Sequence, residues 1–383
     1  MGDSISLGRI AGIRIGVNWS VLLLSVLLVW TLSSGVFPDA LPNRSDALYV
    51  ALGLVAAALF LLSILLHELG HAVQARRDGL EIDGITLWLL GGVARFKGGF
   101  PTAGAELRIA LAGPAVSLVL GIVFLGAAFT PSLPAEVDAV VAYIGYINVL
   151  LLVFNMLPAL PLDGGRVLRA ALWARSGDLS RATSISLTTG RVISFGLIGL
   201  GVAALVFLGS FSGAWLAFIG WFLLTAAGAE SRSSDARAAL QGLAVHDVMV
   251  ERPLTVRAEA TVARLMDGLM WTVRHSAYPV VDGGLPVGMV LLADLEEVPH
   301  EEWATTLVRE RMTGLGEVPV LAPGDDLMRA VDRVSASEIG RGLVIHDGML
   351  VGMLSPGDVL RALELRRQAA AEAAGHPSQT SGR

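Results

Sequence analysis

Six long apolar runs fill the first 230 residues. They cover residues 17–36, 47–66 (running on through His71), 107–130, 139–157, 192–209 and 213–229. A helix needs about 20 mostly apolar residues to cross a bilayer, so each run predicts a membrane span. Positive charge alternates with these runs. Arg9 and Arg14 precede the first. Arg76, Arg77, Arg95 and Lys97 lie between the second and third, with Arg108 at the start of the third. Arg166, Arg169, Arg175, Arg181 and Arg191 lie between the fourth and fifth. The other three connections hold only Arg44. The alternation fits six spans with both termini in the cytoplasm.

Two stretches break the pattern. Residues 80–100 hold an Ile-Thr-Leu-Trp-Leu-Leu run, then Gly91-Gly92, then Val93-Ala94-Arg95-Phe96. This predicts two short strands joined near the glycines, either a hairpin dipping to membrane depth or an ordinary surface hairpin. After Ala229 the chain turns polar. Residues 230–242 read as a linker, and from Leu243 onward charges are regular and apolar runs short, as in a soluble domain.

That domain repeats itself with a period of about 64 residues. Asp247-Val248-Met249 corresponds to Glu310-Arg311-Met312, and Pro279-Val280-Val281 to Leu343-Val344-Ile345. Val287-Gly288-Met289 with Asp294 corresponds to Val351-Gly352-Met353 with Asp358. The predicted domains are a membrane domain over 1–229, repeat copies over 243–303 and 304–367, and a tail over 368–383 that is disordered past Gly375.

Composition agrees. Of 383 residues, 54% are hydrophobic and 16% charged, against about 25% charged in soluble chains. The net charge of −6 comes without a basic stripe, so nucleic acid is not an expected partner. The first 20 residues lack a cleavable signal pattern, so the first apolar run is expected to stay as a membrane helix. Cysteine is absent, which removes disulfides, thiolate zinc sites and cysteine nucleophiles. A metal would have to be held by His, Asp or Glu.

The second span ends in His67-Glu68-Leu69-Gly70-His71. Residues four apart share a helix face, so His67 and His71 can chelate one ion. Glu68 then stands where a general base can reach a water held by that ion. Zinc suits such a site, because it brings the pKa of water to about 7. Two imidazoles and a carboxylate in an apolar span are costly unless paired or metal-bound. The other five of the seven histidines lie in the soluble half. The alternative is a polar helix end, wet at the interface.

A catalytic zinc usually has three protein ligands and an open position. Asp163 is the candidate third ligand. It follows the fourth span in Asn155-Met-Leu-Pro158-Ala-Leu-Pro161-Leu-Asp163-Gly164-Gly165, where prolines break the helix and glycines let the chain turn back. It could instead cap the next helix.

These motifs resemble the site-2 proteases, intramembrane zinc metalloproteases. The resemblance rests on His67-Glu-Leu-Gly-His71, on Asn155-Met-Leu-Pro158 leading to Leu162-Asp163-Gly164, on Gly91-Gly92, and on Ala112-Gly113-Pro114. It covers roughly residues 12–229. It implies that His67, His71 and Asp163 bind one zinc, and that Glu68 activates water and then protonates the leaving amine. It also implies that Asn155 orients substrate or steadies the oxyanion, and that the Gly91-Gly92 strand receives an unwound substrate as an added strand.

The repeat resembles a tandem pair of CBS domains, modules that often bind adenine nucleotides such as ATP or AMP. The second copy has Gly352-Met-Leu-Ser355-Pro-Gly-Asp358. The resemblance implies that Asp358 binds ribose and Ser355 a phosphate. In the first copy Leu291 replaces the hydroxyl residue between Gly288 and Asp294, so only the second carries the full pattern. The pair could instead only form homodimers or shield the active site.

The expected fold is therefore a polytopic α-helical membrane domain with a membrane-associated β-hairpin, followed by a soluble α/β tandem CBS domain. The expected function is cleavage, at the cell membrane, of membrane-spanning or membrane-near proteins, regulated by adenine nucleotide. A CBS-regulated transporter would carry polar groups at the midplane of several spans, whereas the polar cluster here is one HExxH and one distant Asp. An inactive scaffold would have no need of all four of His67, Glu68, His71 and Asp163.

Overall fold

The structure is a computed structural model that describes residues 4–10, 12–88, 91–96, 99–129, 133–269 and 275–375. The chain divides into two units, Met1–Ser234 and Asp235–Arg383.

The first unit opens with strands β1 (Ser4–Ile10) and β2 (Ile13–Asn18). Helix α1 (Ser20–Thr31), a π-helical turn over Leu32–Val36 and α2 (Phe37–Ala40) make one apolar span. The second span is α3 (Asp46–Arg77). Strands β3 (Ile82–Trp88) and β4 (Gly91–Phe96) come next, then spans α4 (Ala103–Ala128) and α5 (Ala135–Asn155). The short helix α6 (Asp163–Ser176) precedes spans α7 (Leu179–Leu208) and α8 (Ser212–Leu240). Among the described residues, six helices are long and apolar enough to cross a membrane, as the runs predict.

Local chemistry sets the helix ends. Side-chain oxygens of Ser45, Thr102 and Asp178 accept backbone N–H groups at the starts of α3, α4 and α7, satisfying donors that a first turn leaves unpaired. Arg76 and Arg77 close α3 at the negative end of its dipole. Gly177 ends α6 in the left-handed conformation.

The expected strand pair is present, with β3 antiparallel to β4 and Trp88 opposite Gly91. Its turn, at residues 89–90, lies outside the described residues. The pair belongs to a larger sheet of order β1-β2-β3-β4, in which β2 runs parallel to β3. The first two strands are absent from the apolar-run reading because they are too short to register as spans. Their signal is alternation: Ile13 and Ile15 are buried, Arg14 between them is exposed, and Val17 packs at the edge of the same cluster. This face meets Ile64 and Ala72 of α3, which flank the two histidines in sequence.

The second unit contains β5 (Val250–Glu251), β6 (Val256–Arg257), α9 (Val262–Leu269), β7 (Ala277–Asp282), β8 (Leu285–Leu291) and α10 (Leu292–Glu296). The second copy follows with β9 (Thr313–Gly314), β10 (Val320–Leu321), α11 (Leu327–Ala336), β11 (Gly342–His346), β12 (Met349–Leu354) and α12 (Pro356–Gly375). The sheets are β6-β7-β8-β9 and β10-β11-β12-β5. Each copy thus lends its first short strand to the other's sheet. Backbone bonds repeat the exchange: Val308 N–H donates to Ala260 O, and Val245 N–H to Asp325 O. Ala277, Met289, Val318, Leu343 and Met353 form a shared apolar cluster between the copies.

Two boundaries differ from expectation. Residues 230–240, read as linker, continue α8. No Gly or Pro interrupts them, and Ala and Arg are good helix formers. Leu240 is buried with Val245 and Leu327. Residues 368–375, assigned to the tail, belong to α12, where an Ala-rich run extends the helix. The disorder expected past Gly375 falls outside the described residues.

Candidate metal centre

The HExxH segment lies inside α3, so four-residue spacing sets His67 and His71 on one buried face. After α5 the chain crosses Pro158 and Pro161, with a cis Leu160–Pro161 peptide, and re-enters helix at Asp163. Gly164 seats against the carbonyls of Met156 and Leu157, and Gly165 against Ala159 and Leu160, where any side chain would overlap backbone. Asp163 does not cap α6: Leu162 holds the cap position, without a side-chain bond. The carboxylate turns inward instead.

There it meets the histidines. His67 Nε2 and His71 Nε2 are 3.2 Å apart, and Asp163 Oδ2 is 3.2 Å from each. The three residues are the one His/Asp/Glu group with metal-ligand geometry among the described residues, and all are buried. The far ring nitrogens are engaged elsewhere. His71 Nδ1 is 2.6 Å from Ile109 O, and His67 Nδ1 is 2.8 Å from Ser117 Oγ. A carbonyl oxygen can only accept, so His71 Nδ1 carries a proton and its Nε2 faces the triangle as a lone pair when the ring is neutral.

Ring nitrogens and a carboxylate facing one another at such distances are held together either by shared protons or by a metal ion between them. Zinc, with bonds of about 2.0–2.1 Å, sets tetrahedral ligand atoms about 3.3–3.4 Å apart. The triangle matches that spacing. Burial disfavours charge on Asp163, but hydrogen bonds and positive charge from the two imidazoles, when they carry protons at Nε2, outweigh it and hold the carboxyl below the usual carboxylate range.

One face of α4 supports the site. Glu106, Ile109, Gly113 and Ser117 are all buried on it, at spacings of three and four residues. A Cβ at Gly113 would overlap the His71 ring and reach His67 Nε2. Reasoning from apolar runs passes over Ser117 and the Ile109 carbonyl. Ser117 left a faint signal as a polar position in an apolar span, and a backbone carbonyl leaves none.

The other candidate residues lie in different settings. Half-buried Glu68 packs on the β4 backbone, where a side chain at Gly92 would overlap it. Gly91 takes a φ of 132°, open chiefly to glycine. Asn155, last in α5, donates its amide to Leu151 O of its own helix at 3.0 Å. In the second unit, Asp358 Oδ2 accepts from Ser355 N–H at 2.9 Å and from Ser355 Oγ at 2.6 Å. Both residues satisfy the start of α12.

The peptidase family M50 model matches residues 55–134 and 130–197, and the CBS domain model matches 245–301 and 308–365. A Mycobacterium tuberculosis protein bearing a zinc-metalloprotease name, Rip3, is 39% identical over 377 residues, covering 97% of this chain and 96% of that one. A zinc metalloprotease of Methanocaldococcus jannaschii is 29% identical over 365 residues, 95% of this chain and 97% of the other. The solved site-2 protease of Methanocaldococcus jannaschii is 29% identical, with a TM-score of 0.42 over 60% of this chain and 95% of that one.

Proposed function

The chain belongs to the M50 peptidases, multi-pass membrane zinc metalloproteases of the site-2 type, here with a CBS pair, and from that premise we propose that His67, His71 and Asp163 hold the zinc of an endopeptidase acting on membrane-spanning or membrane-near proteins. The observation that carries the assignment is the 3.2 Å triangle of Nε2, Nε2 and Oδ2, with His71 Nδ1 engaged by a carbonyl.

Zinc held there supplies Lewis acidity, which polarises a peptide carbonyl and acidifies water. Glu68, next to His67 in sequence, takes the proton from the attacking water and returns it to the leaving amine. Its packing on the β4 backbone supports a second role for that strand. β4 is the edge of its sheet, so an extended substrate segment can pair with its free side at Gly91 and Gly92, which carry no side chains to obstruct it. The bound peptide then runs past Glu68. Asn155 turns from Leu151 O toward the substrate and steadies the developing oxyanion.

The positive-charge alternation supports cytoplasmic termini and a cytoplasmic CBS pair. Ser355 and Asp358 of the second copy are the proposed contacts for an adenine nucleotide, which would regulate cleavage. Equal cleavage rates with and without ATP across its physiological range would remove the regulatory part.

The deciding experiment needs no known substrate. Full-length protein purified in detergent should contain about one zinc per chain, and His71→Ala and Asp163→Ala should each lower that content sharply. A wild-type protein that stays zinc-free after reconstitution would overturn the assignment. Glu68→Gln should keep its zinc and lose cleavage of a membrane-anchored test substrate.

A further inference from the structure

We propose that Arg169, through its buried ion pair with Glu106, is the positioning residue that fixes where Asp163 stands relative to the two histidines. The proposal rests on the reading of Asp163 as a metal ligand. In the sequence, Arg169 is one of several loop cations and Glu106 is unremarkable. The structure joins them across the seam between α4 and α6. Arg169 Nε donates to Glu106 Oε1 at 2.7 Å, and its Nη2 donates to the same oxygen. Glu106 is fully buried, and the Arg169 side chain is 12% exposed. Arg169 Nη1 also lies 3.9 Å from Glu230 Oε1 on α8. One guanidinium therefore faces carboxylates from two other helices.

Stability alone is a poor account of this pair. Glu106 Oε2 is buried without a hydrogen-bond partner, so the pair is desolvated and incompletely satisfied. Apolar side chains of similar size are often buried as well or better. An ion pair adds direction, because two N–H groups of one planar guanidinium converging on Glu106 Oε1 tie a point on α6 to a point on α4.

Both helices bear on the metal centre. On α4, Glu106 lies one turn before Ile109, whose carbonyl holds His71 Nδ1. On α6, Asp163 precedes Arg169 by six residues, about 9 Å of helix. The glycines seat the first turn of α6 on the preceding loop, and the ion pair fixes its further course. A slip of α6 along α4 would carry Oδ2 out of the triangle while leaving the histidines in place.

The test separates position from stability. In the double variant Glu106→Leu/Arg169→Met, both charges give way to apolar groups. Full-length protein in detergent is loaded with Co(II), and three quantities are read: Tm, metal affinity by chelator competition, and the visible Co(II) spectrum. The expected result is a Tm at or above wild type, affinity lowered at least about tenfold, and a bound-Co(II) spectrum altered from that of wild type. A folded double variant with wild-type affinity and spectrum overturns the proposal. Should that variant fail to fold, Arg169→Lys decides. It keeps the charge but loses the fork, and is expected to lower affinity by about threefold to tenfold with Tm unchanged. Wild-type affinity in Arg169→Lys also overturns the proposal. Asp163→Ala separates the two readings. If it keeps its metal, the ligand assignment fails; if it loses metal while the Arg169 variants do not, only the positioning role fails.

Discussion

The candidate metal centre and the Ser355–Asp358 turn both start from motif residues three or four apart, but the first is completed by Asp163 from another helix, and the polar atoms have opposite outcomes. In the membrane unit, His67, His71 and Asp163 turn three metal-ligand atoms toward one another across 3.2 Å, an arrangement that shared protons or a metal ion must complete. In the soluble unit, Asp358 is already bonded to Ser355 N–H and Oγ, so the turn is complete as it stands. A motif whose atoms satisfy its own backbone is explained by folding. A motif whose ligand-type atoms converge from different helices is the one to test for a metal.

That contrast can be broken most forcefully at Asp163. Asp163→Ala should remove zinc and cleavage together, since a buried two-histidine site lacks the third ligand and its charge. Atomic absorption on the purified variant checks this, and retained zinc would erase the distinction between the two regions. Glu68→Gln should reduce cleavage by about 100- to 10,000-fold with zinc unchanged, a typical size for a lost general base. Equal loss of metal would make Glu68 part of the cradle. Gly113→Ala should lower zinc affinity by up to about 100-fold, the upper end for disturbing what orients ligating histidines, because the added methyl group overlaps the His71 ring and reaches His67 Nε2. Ser117→Ala should have a smaller effect, about 10-fold in affinity, as expected when a partner of a ligating histidine is removed. The smallest effect is expected in the soluble unit. Asp358→Ala should remove a capping interaction of about 1 kcal/mol and leave zinc untouched, as thermal unfolding and metal analysis would show. Calorimetry with ATP sharpens the comparison. Binding by wild type that disappears in Asp358→Ala would give the turn a ligand of its own.

Legibility followed the range of the interactions. The six spans, the HExxH pair and the 64-residue repeat were readable because hydropathy, helical spacing and self-similarity are properties of contiguous residues. The N-terminal strands were faintly written, as an alternation around Arg14 too short to stand out beside long apolar runs. The polar 230–240 stretch reads as a linker on charge but is helical, because nothing in it breaks a helix. Ser117 showed only as a polar position in an apolar span and Gly113 only as part of a motif, and neither these nor the Glu106–Arg169 pair had a readable role, since each matters through a residue on another helix.

The sequence by itself determined that this chain enters the membrane about six times, carries two histidines on one helix face, and ends in a duplicated soluble module. Each of those follows from local periodicity and from the solvent each side chain can tolerate. Only the tertiary structure decided that Asp163 turns to the histidines and does not cap α6, that α4 engages the far ring nitrogens, and that each CBS copy completes its sheet with a strand from the other. Those outcomes depend on packing between segments tens of residues apart, where the buried acceptor or charge that settles an orientation is supplied by another part of the chain.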